Sequence, residues 1–288
     1  MSDPFDAKPF DHTATPLRIG RVRLRVRDLG TVAGFYREVI GLSEWARGPE
    51  GVVLGSAEAP LVELQHAPDA RPQDPRDAGL FHIAFLLPDR AALGRWLAHA
   101  GARGVRLQGT SDHIVSEALY LADPEGNGIE IYTDRPASRW RDARGAIRMA
   151  TAPLDLPDLL AAGTGAWAGF PAAGRVGHVH LQVGDTAAAD RFHAGILGLE
   201  ITARYPGASF YGSGGYHHHL AGNAWNSRRA GSRPDGAAGL ELVELVARDP
   251  AIREAIMARA ERAGIPSEVS HQPAVLRDPW GTRIALAT

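Results

Sequence analysis

The stretch His178-Val-His-Leu-Gln-Val-Gly-Asp185 decides the fold, because the same pattern occurs earlier as Arg21-Val-Arg-Leu-Arg-Val-Arg-Asp28. Each stretch alternates polar and apolar residues, as a strand with one buried face does, and each ends in Asp. An aromatic residue follows each at the same distance, and then a glycine, Gly41 or Gly198, ends a predicted helix. Agreement in spacing and residue type indicates an internal repeat.

A second type of unit follows each copy of the first. His82-Ile-Ala-Phe-Leu-Leu-Pro-Asp89 is again a strand that ends in Asp, and a predicted helix at Arg90–Ala100 comes after it. The unit closes with a turn at Asp123-Pro-Glu-Gly-Asn127 and a strand at Ile129-Glu-Ile-Tyr132. The last quarter of the chain repeats this order, with its turn at Asp278-Pro-Trp-Gly281. The sequence therefore predicts an α+β fold of four βαβββ modules in the order A-B-A-B.

These modules group into two predicted domains along the chain, 18–134 and 174–288, joined by a linker at 135–173. Strand residues point alternately to opposite faces, so a mixed sheet that curls into a cup can collect side chains from the first and last strand of each module. Modules one to four are residues 18–67, 79–134, 174–226 and 237–288.

Composition excludes several classes of protein. The chain of 288 residues has a net charge of −2 and no basic block, so a nucleic-acid partner is not expected. It contains no cysteine, which excludes disulfides, thiolate ligands and a cysteine nucleophile, and fits the cytoplasm as the expected location. No apolar run reaches spanning length, so a membrane association is not expected either. A metal in this chain has only His, Asp and Glu to hold it.

Four motifs carry a resemblance to a known family. They are GLFHIAFLLPDR (79–90), SDHIVSEALYLADPEGNGIEIY (111–132), GHVHLQVGD (177–185) and GGYHHHLAGNAW (214–225). They resemble the vicinal oxygen chelate (VOC) superfamily of glyoxalases, bleomycin resistance proteins and extradiol dioxygenases, and within it the bacterial catechol-2,3-dioxygenase-like proteins. The resemblance covers about residues 18–287. It implies VOC-type domains around a metal cup, and a divalent metal that the substrate chelates through neighbouring oxygens. The reaction itself stays open, because the superfamily hosts several.

Residues suited to a metal stand at the ligand positions of the middle modules. Module two opens with His82 and closes with Glu130, and module three opens with His178. Pairing of modules in sequence order would leave each cup incomplete, whereas pairing of modules two and three gathers all three residues. We expect the second arrangement, although both remain open from the sequence. Two imidazoles and one carboxylate with open positions suit a non-haem Fe(II) oxygenase, so Fe(II) is the expected metal and Mn(II) the alternative.

The cup of modules one and four lacks such a set. Leu242 stands where module four would carry a histidine, and Ala285 where it would carry the glutamate. Three arginines share one strand face of module one, and Glu63 could neutralise one of them: Arg21, Arg23 and Arg25. We expect this cup to be structural, with its charges paired or in contact with water.

The triplet His217-His-His219 lies in the predicted last strand of module three, where the resemblance implies an acid/base histidine. Alternation would put His217 and His219 on one face and His218 on the other, and His218 is expected to face the cup. A slip of one residue would exchange these roles. Tyr120, ten residues before Glu130, stands where the resemblance implies a tyrosine that bonds a substrate oxygen. An ordinary core tyrosine fits that position equally well.

Four further residues are candidates for substrate binding: His113, His180, Asn223 and Trp225. The expected activity is extradiol cleavage of a small aromatic diol by O2 to a ring-opened semialdehyde-type product. The alternatives are a glyoxalase-like lyase or isomerase with Zn(II) or Ni(II), and a metal-free protein that binds an aromatic compound. A homo-oligomer is compatible with the sequence, which specifies neither the catechol nor the oligomeric state.

Overall fold

A computed structural model of the protein describes residues 9–268 and 273–288. Its strands are β1 (Leu17–Val26), β2 (Ser43–Gly48), β3 (Gly51–Gly55), β4 (Pro60–His66), β5 (Gly79–Leu87), β6 (Gly109–Asp112), β7 (Ser116–Ala122), β8 (Gly128–Asp134), β9 (Arg175–Gln182), β10 (Glu200–Tyr205), β11 (Ala208–Gly212), β12 (Leu220–Asn223), β13 (Gly239–Ala247), β14 (Ser267–Glu268), β15 (Ala274–Arg277) and β16 (Arg283–Ala287). The α-helices are α1 (Leu29–Phe35), α2 (Arg90–Ala102), α3 (Leu156–Ala162), α4 (Thr186–Asp190) and α5 (Pro250–Arg262). Short 3₁₀ turns lie at His12–Ala14 and Ala137–Arg139.

The strands form two eight-stranded mixed sheets, as expected of four βαβββ modules. The outer-module sheet, built from modules one and four, has the order β14-β15-β16-β13-β1-β4-β3-β2. The inner-module sheet, built from modules two and three, has the order β10-β11-β12-β9-β5-β8-β7-β6. In each sheet the first strands of the two modules pair at the centre.

The pairing of module two with module three is confirmed. β5 and β9 run antiparallel, with Ala84 opposite His178 and His82 opposite His180. Pairing in sequence order is therefore wrong, because β5 and β9 satisfy each other's backbone hydrogen bonds, as β1 and β13 do in the other sheet. The two halves 18–134 and 174–288 each contribute one module to each sheet, so the sheets do not follow these halves.

The aspartate that ends the first strand of each module caps the following helix. The caps of α1, α2, α4 and α5 each accept a hydrogen bond from a backbone N–H of the first turn: Asp28, Asp89, Asp185 and Asp249. Loss of such a cap costs about 0.5–2 kcal/mol. α1 and α4 continue as single π turns, Tyr36–Ile40 and Arg191–Ile196. Gly41 then takes a left-handed φ of 90° at the end of its helix, as its place in the repeat predicts.

Alternation along the central strands separates the core from the cup. In β8, Ile129 and Ile131 join the main hydrophobic core, while Glu130 points to the opposite face. Ile83 and Phe85 of β5 pack into the same core on either side of Ala84. Burial of each such side chain contributes about 1.5–3 kcal/mol relative to exposure. This core fixes the strand register, and the register sets which polar side chains meet on the other face.

α3 lies in the linker, and its capping residue is Asp155. Within the described residues, no helix is both long enough and apolar enough to cross a membrane.

Candidate metal centre

Three buried side chains meet on the cup face of the inner-module sheet, as the repeat predicts. His82 Nε2 lies 2.9 Å from Glu130 Oε2, and His178 Nε2 lies 3.1 Å from the same oxygen. The two imidazole Nε2 atoms are 3.4 Å apart. Among the described residues, this is the one group of at least three His, Cys, Asp or Glu side chains whose ligand atoms come within 4.8 Å of one another.

The triangle fits one metal ion. Bonds of about 2.0–2.2 Å place ligands about 3.0 Å apart at an octahedral angle and about 3.4 Å apart at a tetrahedral angle. The three observed separations, 2.9, 3.1 and 3.4 Å, match this range. A set of two histidines and one carboxylate on one face leaves other coordination positions open for a substrate.

The charges of the ligands suit a cation. Burial alone would raise the pKa of the Glu130 carboxyl, but His178 and His82 outweigh that effect and hold it well below its usual range. Burial lowers the pKa of His178, although Glu130 opposes the shift, so its imidazole favours the neutral form. A carboxylate and neutral imidazoles are the forms that bind metal. The His178 ring itself packs against Tyr132 and His218.

Tyr120 lies beside the triad because β7 pairs with β8 and puts it directly opposite Glu130. Its hydroxyl is 2.7 Å from His113 Nε2, and His113 Nδ1 is 2.7 Å from the carbonyl oxygen of Ala150. A carbonyl only accepts, so Nδ1 of His113 donates and Nε2 of the neutral ring accepts the tyrosine proton. Burial and the Glu130 charge raise the pKa of Tyr120 well above its usual value. Tyr120 therefore stays protonated and keeps oxygen lone pairs free on its cavity side.

A tight turn holds His113 at the end of β6. The next residue, Ile114, has a φ of 70°, which is unusual for a β-branched side chain. The Asp112 carboxylate accepts a hydrogen bond from the Ile114 backbone at 2.8 Å and is itself paired with Arg135 at 2.6 Å. These contacts over-determine the turn, which is the condition for a strained residue to persist.

The histidine triplet departs from the predicted strand. β12 begins at Leu220, and residues 217–219 form the bend before it. The chain enters this bend through Gly214 and Gly215, whose φ angles are 61° and 84°. The Nδ1 atoms of His217 and His218 consequently lie only 2.8 Å apart. His218 nevertheless lines the cavity, as expected of it, whereas His217 and His219 are buried behind it.

A cavity of about 300 Å³, called the site cavity below, opens over the triad. Its walls are mostly aromatic or apolar, with a few neutral polar groups. The lining residues are Phe81, His82, Ser111, His113, Ser116, Tyr120, Glu130, Met149, Ala150, Thr151, His178, His180, Tyr205, Phe210, His218 and Trp225.

Three of the four residues expected to contact substrate line this cavity: His113, His180 and Trp225. Asn223 does not, because it is fully buried behind His180. Its side-chain amide donates to His180 Nε2 at 3.1 Å, which fixes the orientation of that ring. Burial, followed by the charges of His82 and His178, lowers the pKa of His180 well below its usual value. The ring is therefore a neutral wall group.

One wall of the cavity comes from the linker, a position that no sequence pattern predicts. Asp112 and Ala152 form a two-way backbone bridge at 2.9 Å, so the linker runs beside the end of β6. Met149, Ala150 and Thr151 thereby face the metal ligands. The linker sequence is rich in Ala, Arg, Pro and Asp and carries no periodic pattern that could have indicated this contact.

In the outer-module sheet, apolar residues stand at the positions that correspond to Tyr120 and Glu130. Val275 lies opposite Ala285, as Tyr120 lies opposite Glu130. Val275 and Ala285 pack with Leu242 in a small apolar cluster. The arginine face predicted beside it is neutralised by acidic side chains, as expected: Arg23 and Arg21 pair with Glu63, Arg21 also with Glu244, and Arg25 with Glu241. Apolar packing and ion pairs thus stand in this cup where the inner-module sheet carries its buried histidines and glutamate.

Comparisons with known proteins agree with this geometry. The profile of the Glyoxalase/Bleomycin resistance protein/Dioxygenase superfamily matches residues 18–131. The chain is 38% identical over 267 residues to the catechol-2,3-dioxygenase of Bacillus subtilis (strain 168), with 91% of this chain and 93% of that protein covered.

Solved structures show the same fold at low identity. Glyoxalase I from Zea mays has a TM-score of 0.56 and 18% identity, with 96% of this chain and 93% of that chain covered. A protein of Bacillus subtilis subsp. subtilis str. 168 has a TM-score of 0.62 and 14% identity, with 94% and 84% covered.

Proposed function

Because the chain belongs to the glyoxalase/bleomycin resistance protein/dioxygenase superfamily, we propose that it is an extradiol dioxygenase that cleaves the ring of a catechol with O2. The observation that carries this proposal is the meeting of His82, Glu130 and His178 with Tyr120 and His218 at one cavity. The relative named as a catechol-2,3-dioxygenase supports it across nearly the whole chain.

His82, His178 and Glu130 would hold Fe(II), with Mn(II) as the alternative. Once bound, such a metal would supply Lewis acidity that lowers the pKa of the diol and a route for electrons between the diol and O2. Both atoms of O2 enter the product, so the reaction needs no further reductant. The protein contributes by orienting the diol, accepting its proton and keeping water out.

His218 is the proposed base. Burial, followed by the charges of His178 and His217, lowers the pKa of His218 well below its usual value, so the ring is neutral and can accept a proton from a diol hydroxyl. It can return that proton when the ring opens. Its position in the cavity wall, stacked on His178 with ring centres 4.2 Å apart, places it beside the ligand set.

Tyr120 is the proposed anchor for a substrate oxygen. The Tyr120 hydroxyl lies 2.7 Å from His113 Nε2 and beside Glu130, and its oxygen has a lone pair that can accept a hydrogen bond from the hydroxyl of a bound diol. The aromatic walls, among them Phe81, Phe210 and Trp225, match the flat face of a catechol ring. The cavity volume of about 300 Å³ suits a single substituted ring.

The direct test of this function is oxygen uptake by the Fe(II)-loaded chain with catechol. We expect one O2 consumed for each catechol lost, with a conjugated ring-opened product and no turnover without O2. A glyoxalase-like enzyme would instead convert a hemithioacetal without O2. A binding protein would return the catechol unchanged. Either of these two results would contradict the proposal.

Tyr120→Phe is expected to lower kcat by about 10- to 100-fold, because the diol loses one hydrogen-bond partner in the site. Metal content should stay near that of the wild type, since the phenol oxygen is not in the ligand triangle. The matched control is Tyr211→Phe. It removes a hydroxyl that donates to Asp190 at 2.9 Å and does not line the site cavity. Oxygen uptake and metal analysis check both variants. An equal loss of kcat in the two would show that Tyr120 has no specific role in the reaction.

Among the residues that line the site cavity none is Lys or Arg, so Glu130 is the one side chain of fixed charge there. A carboxylate on the ring of the substrate, remote from the diol, would be buried without a cationic side chain beside it, which is costly. We expect kcat/KM for catechol or 4-methylcatechol to exceed that for 3,4-dihydroxybenzoate by at least about 100-fold. The methyl ester of 3,4-dihydroxybenzoate is the control for size. If kcat/KM for the ester is as low as that for the acid, the size of the substituent and not its charge determines substrate preference.

A further inference from the structure

A carboxylate and two histidines form a hydrogen-bonded chain that ends at the proposed base. Asp134 Oδ1 lies 2.8 Å from His217 Nε2, and His217 Nδ1 lies 2.8 Å from His218 Nδ1. His217 is fully buried, and the Asp134 carboxylate is mostly buried. Of the three residues, only His218 lines the site cavity.

The donor and acceptor roles in the hydrogen-bonded chain from Asp134 to His218 follow from the Asp134 carboxylate. A carboxylate only accepts, so Nε2 of His217 carries the proton. In the tautomer of His217 that carries its proton at Nε2, Nδ1 is an acceptor, so the proton between the two Nδ1 atoms belongs to His218. A neutral His218 that is protonated at Nδ1 has a bare lone pair at Nε2. That lone pair is the acceptor a base needs.

We propose that Asp134 and His217 are positioning residues that fix the tautomer of His218, so that its Nε2 is the free acceptor in the site cavity. This inference rests on the proposed function of His218 as acid/base group. Asp134 and His217 act through His218 and do not themselves touch the site cavity.

Contacts with the surrounding fold hold Asp134 and His217 in place. Asp134 ends β8 and lies four residues after Glu130, so alternation puts the two carboxylates on the same face of one strand. The Tyr216 hydroxyl is 3.3 Å from Asp134 Oδ1, and the His12 ring lies 3.8 Å from Oδ2. The Trp140 ring packs edge-on against His217 with centres 5.0 Å apart. One strand thus supplies both a metal ligand and the group that orients the base.

Asp134→Asn is the decisive variant, because an amide can donate where the carboxylate could only accept. If it donates to His217 Nε2, both tautomers along the chain reverse, and His218 carries its proton at Nε2. The readout is the ¹⁵N chemical shifts of the two His218 nitrogens. They are measured in the full chain labelled at histidine and loaded with Zn(II), which is diamagnetic. Loss of signals in His218→Gln assigns them.

In the wild type we expect a protonated Nδ1 and a bare Nε2 at His218. In Asp134→Asn we expect the reverse, together with a fall in kcat of about 100-fold and little change in KM on the Fe(II)-loaded enzyme. Tyr216→Phe is the control: it removes another contact of the same carboxylate but leaves the His217 bond, so the wild-type tautomer should persist.

Three results would overturn the inference: His218 protonated at Nε2 in the wild type, an unchanged tautomer in a folded, metal-binding Asp134→Asn, or a reversed tautomer with unchanged kcat. Failure of the proposed function is distinguishable from these. In that case the wild type cleaves no catechol, although the nitrogen shifts still report the tautomer.

Discussion

His82→Ala and His178→Ala, made separately, will each reduce bound metal from about one ion per chain to near zero after anaerobic Fe(II) loading. Each substitution removes one corner of a triangle whose ligand atoms lie within 4.8 Å of one another. The remaining imidazole and carboxylate offer two ligands in place of three, which is too few for a stable protein site. Oxygen uptake with catechol should fall to background in both variants. Metal analysis by mass spectrometry of the purified chains checks the first expectation directly.

His180→Ala is the matched control for metal binding. It lies two residues from His178 on the same strand and the same face, and lines the same cavity, but is not in the ligand triangle. Its metal content should equal that of the wild type. If metal still binds in His178→Ala but not in His82→Ala, the site lies within module two alone. The prediction of a site shared by modules two and three would then be wrong.

His218→Gln is expected to lower kcat by about 10²- to 10⁴-fold, which is the usual contribution of a general acid/base group. The metal should remain bound at about one ion per chain, because the ligand triangle is intact. KM for catechol should change little, since the diol is held mainly by the metal and by the aromatic walls. Steady-state oxygen uptake and metal analysis on the same preparation separate these effects.

The control for this variant is His219→Leu, in the neighbouring member of the triplet. Both ring nitrogens of His219 are buried without a hydrogen-bond partner, so an apolar side chain leaves no polar group unsatisfied. Its kcat should stay within about threefold of the wild type. A large loss in His219→Leu and none in His218→Gln would move the acid/base role away from residue 218.

The repeat made most of the fold predictable. The aspartates that mark the strand ends recur because each caps a helix, and the glycines recur because a left-handed residue ends that helix. The alternation of Ile129, Glu130 and Ile131 predicted one inward carboxylate, as found. Pairing of modules two and three could be predicted only from where the ligands stand, because local pattern says nothing about which strands meet across the chain.

The parts that could not be predicted depend on irregular backbone. Alternation describes only extended strands, and two glycines turn the chain just before His217, so the close contact between the His217 and His218 rings could not be predicted. Met149–Thr151 reach the site cavity through the Asp112–Ala152 backbone bridge and the hydrogen bonds of Ala150 with His113, which have no signature in sequence. Asn223 stood two residues from a cavity residue, yet the register of β12 turned it behind His180.

The pairing of β1 with β13 also bears on how the chain is made. The ribosome releases β1 well before β13, so one edge of β1 has no partner while the residues between the two strands are being translated. Edge strands in that state recruit other strands, and pairings so distant along the chain close slowly. Arg21, Arg23 and Arg25 place positive charge on β1 while its edge is unpaired, and charged side chains on an exposed edge strand oppose aggregation. Folding of the metal site is delayed too, because His82 and Glu130 leave the ribosome before His178 and meet it only when module three emerges.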